Sequence, residues 1–92
     1  MPKTKILIAD NHDIVRIGLR ALVQGAGSYE VMGDVSDAKA LIDLASKLKP
    51  DIVVLDPSVD AAGGAALVAS LLRTLPAAKV LLYPNDDSEE SF

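Results

Sequence analysis

No cysteine or tryptophan occurs among the 92 residues, and the remaining rings are two Tyr, one Phe and a single His. Without cysteine there is no disulfide framework and no thiolate metal site, which suits a reducing cytosol. The scarcity of aromatics leaves the core to Leu, Val, Ile and Ala, the residues of buried strands and packed helices. Long apolar runs are missing too. After the basic start Met1-Pro2-Lys3-Thr4-Lys5, the first run is only Ile6 to Ala9, too short for a signal peptide or a membrane span. A soluble, cytoplasmic protein with no membrane partner is expected. Excess positive charge is also absent: residues 1 to 85 carry nine cationic and nine acidic side chains, so Asp86, Asp87, Glu89 and Glu90 make the net charge of −4. Direct nucleic-acid binding by this segment is therefore not expected. A chain this short makes one domain, residues 1–92, burying about 60–65% of its unfolded surface.

What the sequence does contain is organised around Asp51-Ile52-Val53-Val54-Leu55-Asp56. Four consecutive apolar residues, three of them β-branched, read as a strand buried on both faces, the kind found in helix-covered parallel sheets. Asp56 then stands at its C-terminal end, where open α/β sheets gather ligands. The plainer alternative is a solvated loop carboxylate. Lys5 to Ala9 is a second such strand, and it too ends in an acid, Asp10.

Asn11, His12 and Asp13 offer N-caps for a helix from about His12 to Gln24, closed by Gly25-Ala26-Gly27. Arg16, Arg20 and Gln24 form one polar row on it, and the rest is so apolar that neighbours on more than one side are expected. Tyr29 to Val35 alternates, with Val31, Gly33 and Val35 on one face and Glu30, Met32 and Asp34 on the other, as an edge strand does. Ser36 or Asp37 can cap a second helix carrying Leu41, Leu44, Ala45 and Leu48 before Pro50. A loop from Pro57 to Gly64, a third helix from about Gly64 to Leu75 and a fourth strand from Lys79 to Tyr83 complete the pattern.

Alternation of strand and helix calls for an α/β doubly wound parallel sheet with right-handed crossovers. With the alternating strand at the edge, the order is 2-1-3-4. The first helix then lies alone on one face, and the crevice between strands 1 and 3 receives both Asp10 and Asp56. Periodicity alone thus brings two carboxylates together.

Ile6-Leu7-Ile8-Ala9-Asp10-Asn11-His12-Asp13-Ile14-Val15-Arg16-Ile17-Gly18-Leu19-Arg20-Ala21-Leu22 closely resembles the opening of receiver domains of two-component response regulators, specifically the LuxR-type (NarL/FixJ) class. Lys49 to Asp56 resembles their phosphoacceptor strand. The resemblance covers the whole chain and implies a flavodoxin-like (CheY-like) fold in which a sensor histidine kinase transfers phosphate to Asp56. It further implies Mg²⁺ held weakly by Asp10, Asp56, the amide of Asn11 and the backbone carbonyl of Ser58.

The departures from that family are specific. Asn11 stands where a second acid is normal, and a neutral amide is a poor Mg²⁺ ligand. Of the loop after Asp56, Val59-Asp60-Ala61-Ala62-Gly63-Gly64 retains only the final Gly. Pro84 replaces a Thr or Ser whose hydroxyl reports on the phosphate. The Lys of a fifth strand is absent, and an opposite charge at 4 Å in an effective dielectric of 20 is worth about 4 kcal/mol. The acidic stretch Asp86 to Glu90 reads as a helix start, and the apolar fourth strand expects a further neighbour. The expectation is a C-terminally incomplete receiver, with the fifth strand absent and the DNA-binding helix-turn-helix lying outside this chain.

Other chemistries are poorly served. His12, with no second His, reads as a solvated or capping residue. Gly25-Ala26-Gly27 follows a helix and lacks the third glycine of a dinucleotide loop. A haloacid-dehalogenase-like phosphatase needs an Asp where this chain has Ser58, so no enzyme is expected. Two readings remain: a transcription-regulating receiver with Asp56 as an impaired phosphoacceptor, or a degenerate receiver serving only as an interaction or dimerisation module. In either case a homodimer through the first helix or the fourth-strand edge is expected.

Overall fold

Strand β1 (Thr4–Ala9) runs through the middle of the sheet, paired in parallel with β2 (Tyr29–Val35) on one side and β3 (Ile52–Leu55) on the other. β4 (Lys79–Leu82) adds in parallel beyond β3, giving the order β2-β1-β3-β4. The computed structural model describes residues 3–62 and 64–83. Pro84, Gly63 and the acidic stretch Asp86 to Glu90, all singled out in the sequence, lie outside the described residues.

Helices α1 (Asp13–Gly25), α2 (Ala38–Leu48) and α3 (Ala65–Thr74) link the strands. Right-handed crossovers put α2 and α3 on one face and α1 on the other. On the α2/α3 face Leu7, Ala9, Val53 and Leu55 pack with Leu41, Ala45, Leu67, Leu71 and Leu75. On the α1 face Ile6, Ile8 and Val31 meet Leu19, Val23, Ile52 and Val54. The two central strands, β1 and β3, are thus covered on both sides, whereas β4 is largely exposed.

Helix ends follow their local chemistry. Asp37 caps α2 by accepting the Ala40 N–H at 2.8 Å, and Lys49 closes it in the left-handed conformation before Pro50. Pro76 follows the end of α3, as the sequence implied.

β2 departs from simple alternation. Ile6 pairs with Val31 but Leu7 pairs with Gly33, so Met32 is an extra residue in a β-bulge. Val31 therefore joins the α1 face, whereas Val35 joins the opposite core and Gly33 lies under Leu44 of α2. The expected common face for Val31, Gly33 and Val35 is corrected by this bulge, which reverses the sides of every residue after it.

The arginine row of α1 is turned inward. Arg16 and Arg20 reach Asp34 on β2, while Ile14, Ile17 and Leu22 are 80%, 65% and 75% exposed.

Leu41 has no exposure and touches the heart of the larger core. Leu41→Ala lowers unfolding free energy by about 2–5 kcal/mol, and Asp37→Ala by about 1 kcal/mol. Urea denaturation followed by circular dichroism measures both; a cost for Leu41→Ala no larger than that of the cap would contradict this packing.

Candidate functional site

Three strands are prolonged by one hydrogen bond each, and the residues so held form the site. Asp10 donates its N–H to the Val35 carbonyl (3.0 Å), Asp56 to Ala9 (2.9 Å) and Tyr83 to Leu55 (3.0 Å). Asp10 and Asp56 are in phase with the α1-face residues Ile8 and Val54, two positions before each. Their carboxylates therefore emerge together at the C-terminal ends of adjacent strands, and both are buried.

Asp10 is richly bonded. Its Oδ1 accepts the backbone N–H of His12 and contacts His12 Nδ1, each at 2.7 Å, and its Oδ2 accepts the Tyr83 hydroxyl at 2.6 Å. Arg16 donates to the Asp10 carbonyl oxygen at 2.6 Å and also reaches Asp13 and Asp34. Burial raises the Asp10 pKa, but the hydrogen bonds from Tyr83 and His12 outweigh it and leave the group below the usual carboxylate value. Burial lifts the Tyr83 phenol, and its hydrogen bond to Asp10 and the charges of Asp10 and Asp56 lift it further, so it remains a donor.

Asp56 is served on one side only. Its Oδ1 accepts the Ser58 N–H at 2.9 Å, from the single 3-10 turn Pro57–Val59, while the buried Oδ2 has no hydrogen-bond partner among the described residues. His12 Nδ1 is 3.9 Å from that oxygen. An unpartnered buried carboxylate oxygen is costly and marks a place for a ligand.

The sequence candidates are thus brought together. Asn11 is exposed at the rim, where its Oδ1 accepts the Ser58 hydroxyl at 3.3 Å, so Asn11 and Ser58 close over the crevice. His12, expected as a solvated or capping residue, is exposed at the N-cap position of α1; its side chain makes no capping bond and turns to Asp10 instead. Tyr83 was not singled out as a site residue. At the end of an apolar strand it reads as core, and the available signal was its place one residue past β4, matching Asp10 and Asp56 past β1 and β3.

The donor set fits a divalent cation. Ligand atoms of Asp10, His12 and Asp56 lie within 4.8 Å of one another, and Asp56 Oδ2 is the orphaned atom among them. Two carboxylates match a dication in charge.

Tyr83→Phe removes one donor to Asp10 and raises the Asp10 pKa toward the usual carboxylate value. Because the folded-state pKa is depressed, Asp10 contributes stability above its unfolded value of about 3.9, and this is lost as pH falls through the folded value. In the variant that loss begins at higher pH. A ¹³C NMR titration of the Asp10 carboxyl measures the shift; an unchanged curve would show that Tyr83 is not its partner.

Among known proteins, the response regulator GacA of Pseudomonas aeruginosa is 33% identical over 78 residues, covering 85% of this chain and 36% of GacA. The chain thus spans about a third of that relative's length. A two-component response regulator of the LuxR family from Aurantimonas sp. superposes with a TM-score of 0.83 at 28% identity, over 98% of this chain and 64% of that one. RcsB from Salmonella enterica serovar Typhimurium, solved bound to promoter rprA in the presence of the phosphomimetic BeF3−, gives 0.83 at 25% identity, over 92% and 44%. The four-stranded order and its helices match the flavodoxin-like receiver fold of these neighbours. Residues 6–92 match the response regulator receiver domain, and the chain belongs to that family.

Proposed function

We propose that this receiver accepts a phosphoryl group on Asp56, donated by a sensor histidine kinase, and that the modified state is held weakly. The observation that carries the reading is the buried Asp56 Oδ2, unpartnered beside Asp10 and His12 at the end of β3. In the transfer, a carboxylate oxygen of Asp56 forms the new O–P bond as the N–P bond of the kinase phosphohistidine breaks, and the electron pair returns to the imidazole. Ser58 N–H fixes Oδ1 and orients the carboxylate. Mg²⁺ held by Asp10 and Asp56, with the Ser58 carbonyl and the weaker Asn11 amide, would neutralise charge on the transferring group. The RcsB structure, solved on promoter DNA in the presence of the phosphomimetic BeF3−, supports a phosphorylation-linked output for this kind of fold. That output is transcriptional, executed by a DNA-binding domain outside this segment, in the cytoplasm.

Asn11 supplies no charge where a carboxylate would attract the cation. Incubation with acetyl phosphate and Mg²⁺ should give a substoichiometric adduct by intact mass, absent in Asp56→Asn. Asn11→Asp should increase the adduct and tighten Mg²⁺ binding by about tenfold. No adduct in either protein would remove Asp56 as acceptor; a stoichiometric one in the parent would remove the impairment.

A second copy of the chain is the partner best suited to the α1 side. Ile14, Ile17 and Leu22 are exposed beside a groove lined by Ile6, Val23, Tyr29, Ile52 and Leu81. Leu81 and Leu82 of β4 are each 53% exposed, and β4 is an edge among the described strands. Sedimentation velocity across a micromolar range should give a dimer, lost in Leu22→Glu if α1 forms the contact and in Leu81→Lys if β4 does. A monomer throughout would exclude the dimer.

A further inference from the structure

Asp10 leaves the sheet with its two main-chain groups in different situations. Its N–H still belongs to the ladder, donating to the Val35 carbonyl at 3.0 Å, whereas its carbonyl lies past the last residue of β1, where the chain turns toward α1. That turn, Asp10 to His12, carries the Asp10 carboxylate, the Asn11 amide and the His12 ring beside Asp56. Tyr83 and the Ser58 N–H occupy the outer oxygens, Asp10 Oδ2 and Asp56 Oδ1, so Asp10 Oδ1 and Asp56 Oδ2 are the inner pair. What holds the turn therefore sets the spacing of that pair. It is not a side-chain cap, because His12 at the N-cap makes no capping bond.

Arg16 holds it instead. Its backbone N–H closes the first turn of α1 on the His12 carbonyl at 3.1 Å, and its guanidinium reaches back to the Asp10 carbonyl at 2.6 Å. Each guanidinium nitrogen has its own acceptor: Nη1 the Asp10 carbonyl, Nη2 the Asp13 carboxylate, and Nε the Oδ1 of Asp34 at 3.2 Å. Asp34 is fixed from its other oxygen, which accepts Arg20 Nη2 at 2.6 Å and Nε at 3.0 Å. A planar fork satisfied at all three nitrogens has one orientation, and this one is 16% exposed, so water competes little for it.

We propose that Arg16, oriented by Asp34, is a positioning residue for phosphoryl transfer at Asp56: by holding the Asp10 carbonyl it fixes the turn that sets the inner oxygens of Asp10 and Asp56 against each other. Arg16 acts through the backbone of Asp10, and its role rests on the acceptor reading of Asp56 given above. Misplacement by about an ångström costs up to about a hundredfold in rate, and loss of one tether among several displaces the turn less, so a slowing of about tenfold is expected. Arg20 supplies the comparison. It also joins α1 to Asp34, but its side-chain bonds among the described residues all go to Asp34.

The chain is incubated with acetyl phosphate and Mg²⁺, the phosphoryl group passing to an Asp56 oxygen as acetate leaves, and the adduct is followed in time by intact mass. NMR without phosphodonor reads the Asp10 carbonyl ¹³C and the Arg16 Nη groups. In the parent the Nη groups should give separate, slowly rotating signals; one averaged signal would overturn the proposal, and that readout needs no variant. Arg16→Gln and Arg16→Lys should each shift the Asp10 carbonyl resonance and slow adduct formation by about tenfold, Lys giving no rescue because one ammonium cannot serve three separate acceptors. Arg20 still pairs with Asp34 in both, so no carboxylate is stranded there. Arg20→Gln should leave the Asp10 resonance in place and the rate within about twofold. Equal slowing in Arg16→Gln and Arg20→Gln, or the parent rate in Arg16→Lys, would overturn the proposal. No adduct in the parent would strike the acceptor reading and this role together, whereas a parent adduct with equal slowing strikes this role alone.

Discussion

Two carboxylates held side by side out of water are the constraint to which the rest of the molecule answers. Like charges in a low-dielectric crevice repel, so the arrangement needs compensating partners. The sheet imposes the arrangement, because β1 and β3 are neighbours and each is prolonged by one backbone hydrogen bond past its last residue. Asp10 is then compensated by hydrogen bonds from His12 and Tyr83, while the Arg16 guanidinium binds its carbonyl. Asp56 keeps one oxygen without such a partner among the described residues. The two carboxylates are thus held asymmetrically: both oxygens of Asp10 are bonded, and only one of Asp56's is.

Much of this frame was legible in the residues. Continuous apolar runs at Ile6 to Ala9 and Ile52 to Leu55 mark strands covered on both faces, and right-handed connection of strands in the order 2-1-3-4 forces Asp10 and Asp56 into one crevice. The bulge at Met32 was not legible. Val31, Gly33 and Val35 alternate without interruption against Glu30, Met32 and Asp34, so the pattern gives no sign of an extra residue, and Gly33, which could have signalled it, also suits a close approach to α2. The contacts of His12 and Tyr83 with Asp10 were not legible, for a shared reason. A lone histidine at a helix start and a tyrosine ending an apolar strand each have an ordinary local explanation, and only tertiary proximity to Asp10 reveals the other one.

The bulge also explains the behaviour of α1. An uninterrupted β2 with Val31 on the α1 face would place Gly33 and Val35 there too and turn Asp34 to the opposite side. Inserting Met32 reverses that phase, and Asp34 meets Arg16 and Arg20 instead. Exposed ion pairs contribute at most about 1 kcal/mol, but Arg16 is 16% exposed and Asp34 28%, so solvent screens this contact less completely. The arginines consequently occupy the inner strip of the helix beside Leu19 and Val23, and Ile14, Ile17 and Leu22 are left facing outward. An apolar outer face on α1 is thus a geometric consequence of where β2 puts its one charged contact.

Arg16 ties this packing to the site. The same guanidinium that binds Asp34 also donates to the Asp10 carbonyl, at the residue whose side chain sits in the crevice. Asp10 is fixed at its N–H by β2, and His12, two residues later, stands at the N-cap of the helix. The outer face of α1 and the inner oxygens of Asp10 and Asp56 are therefore joined by one side chain and one short turn of backbone.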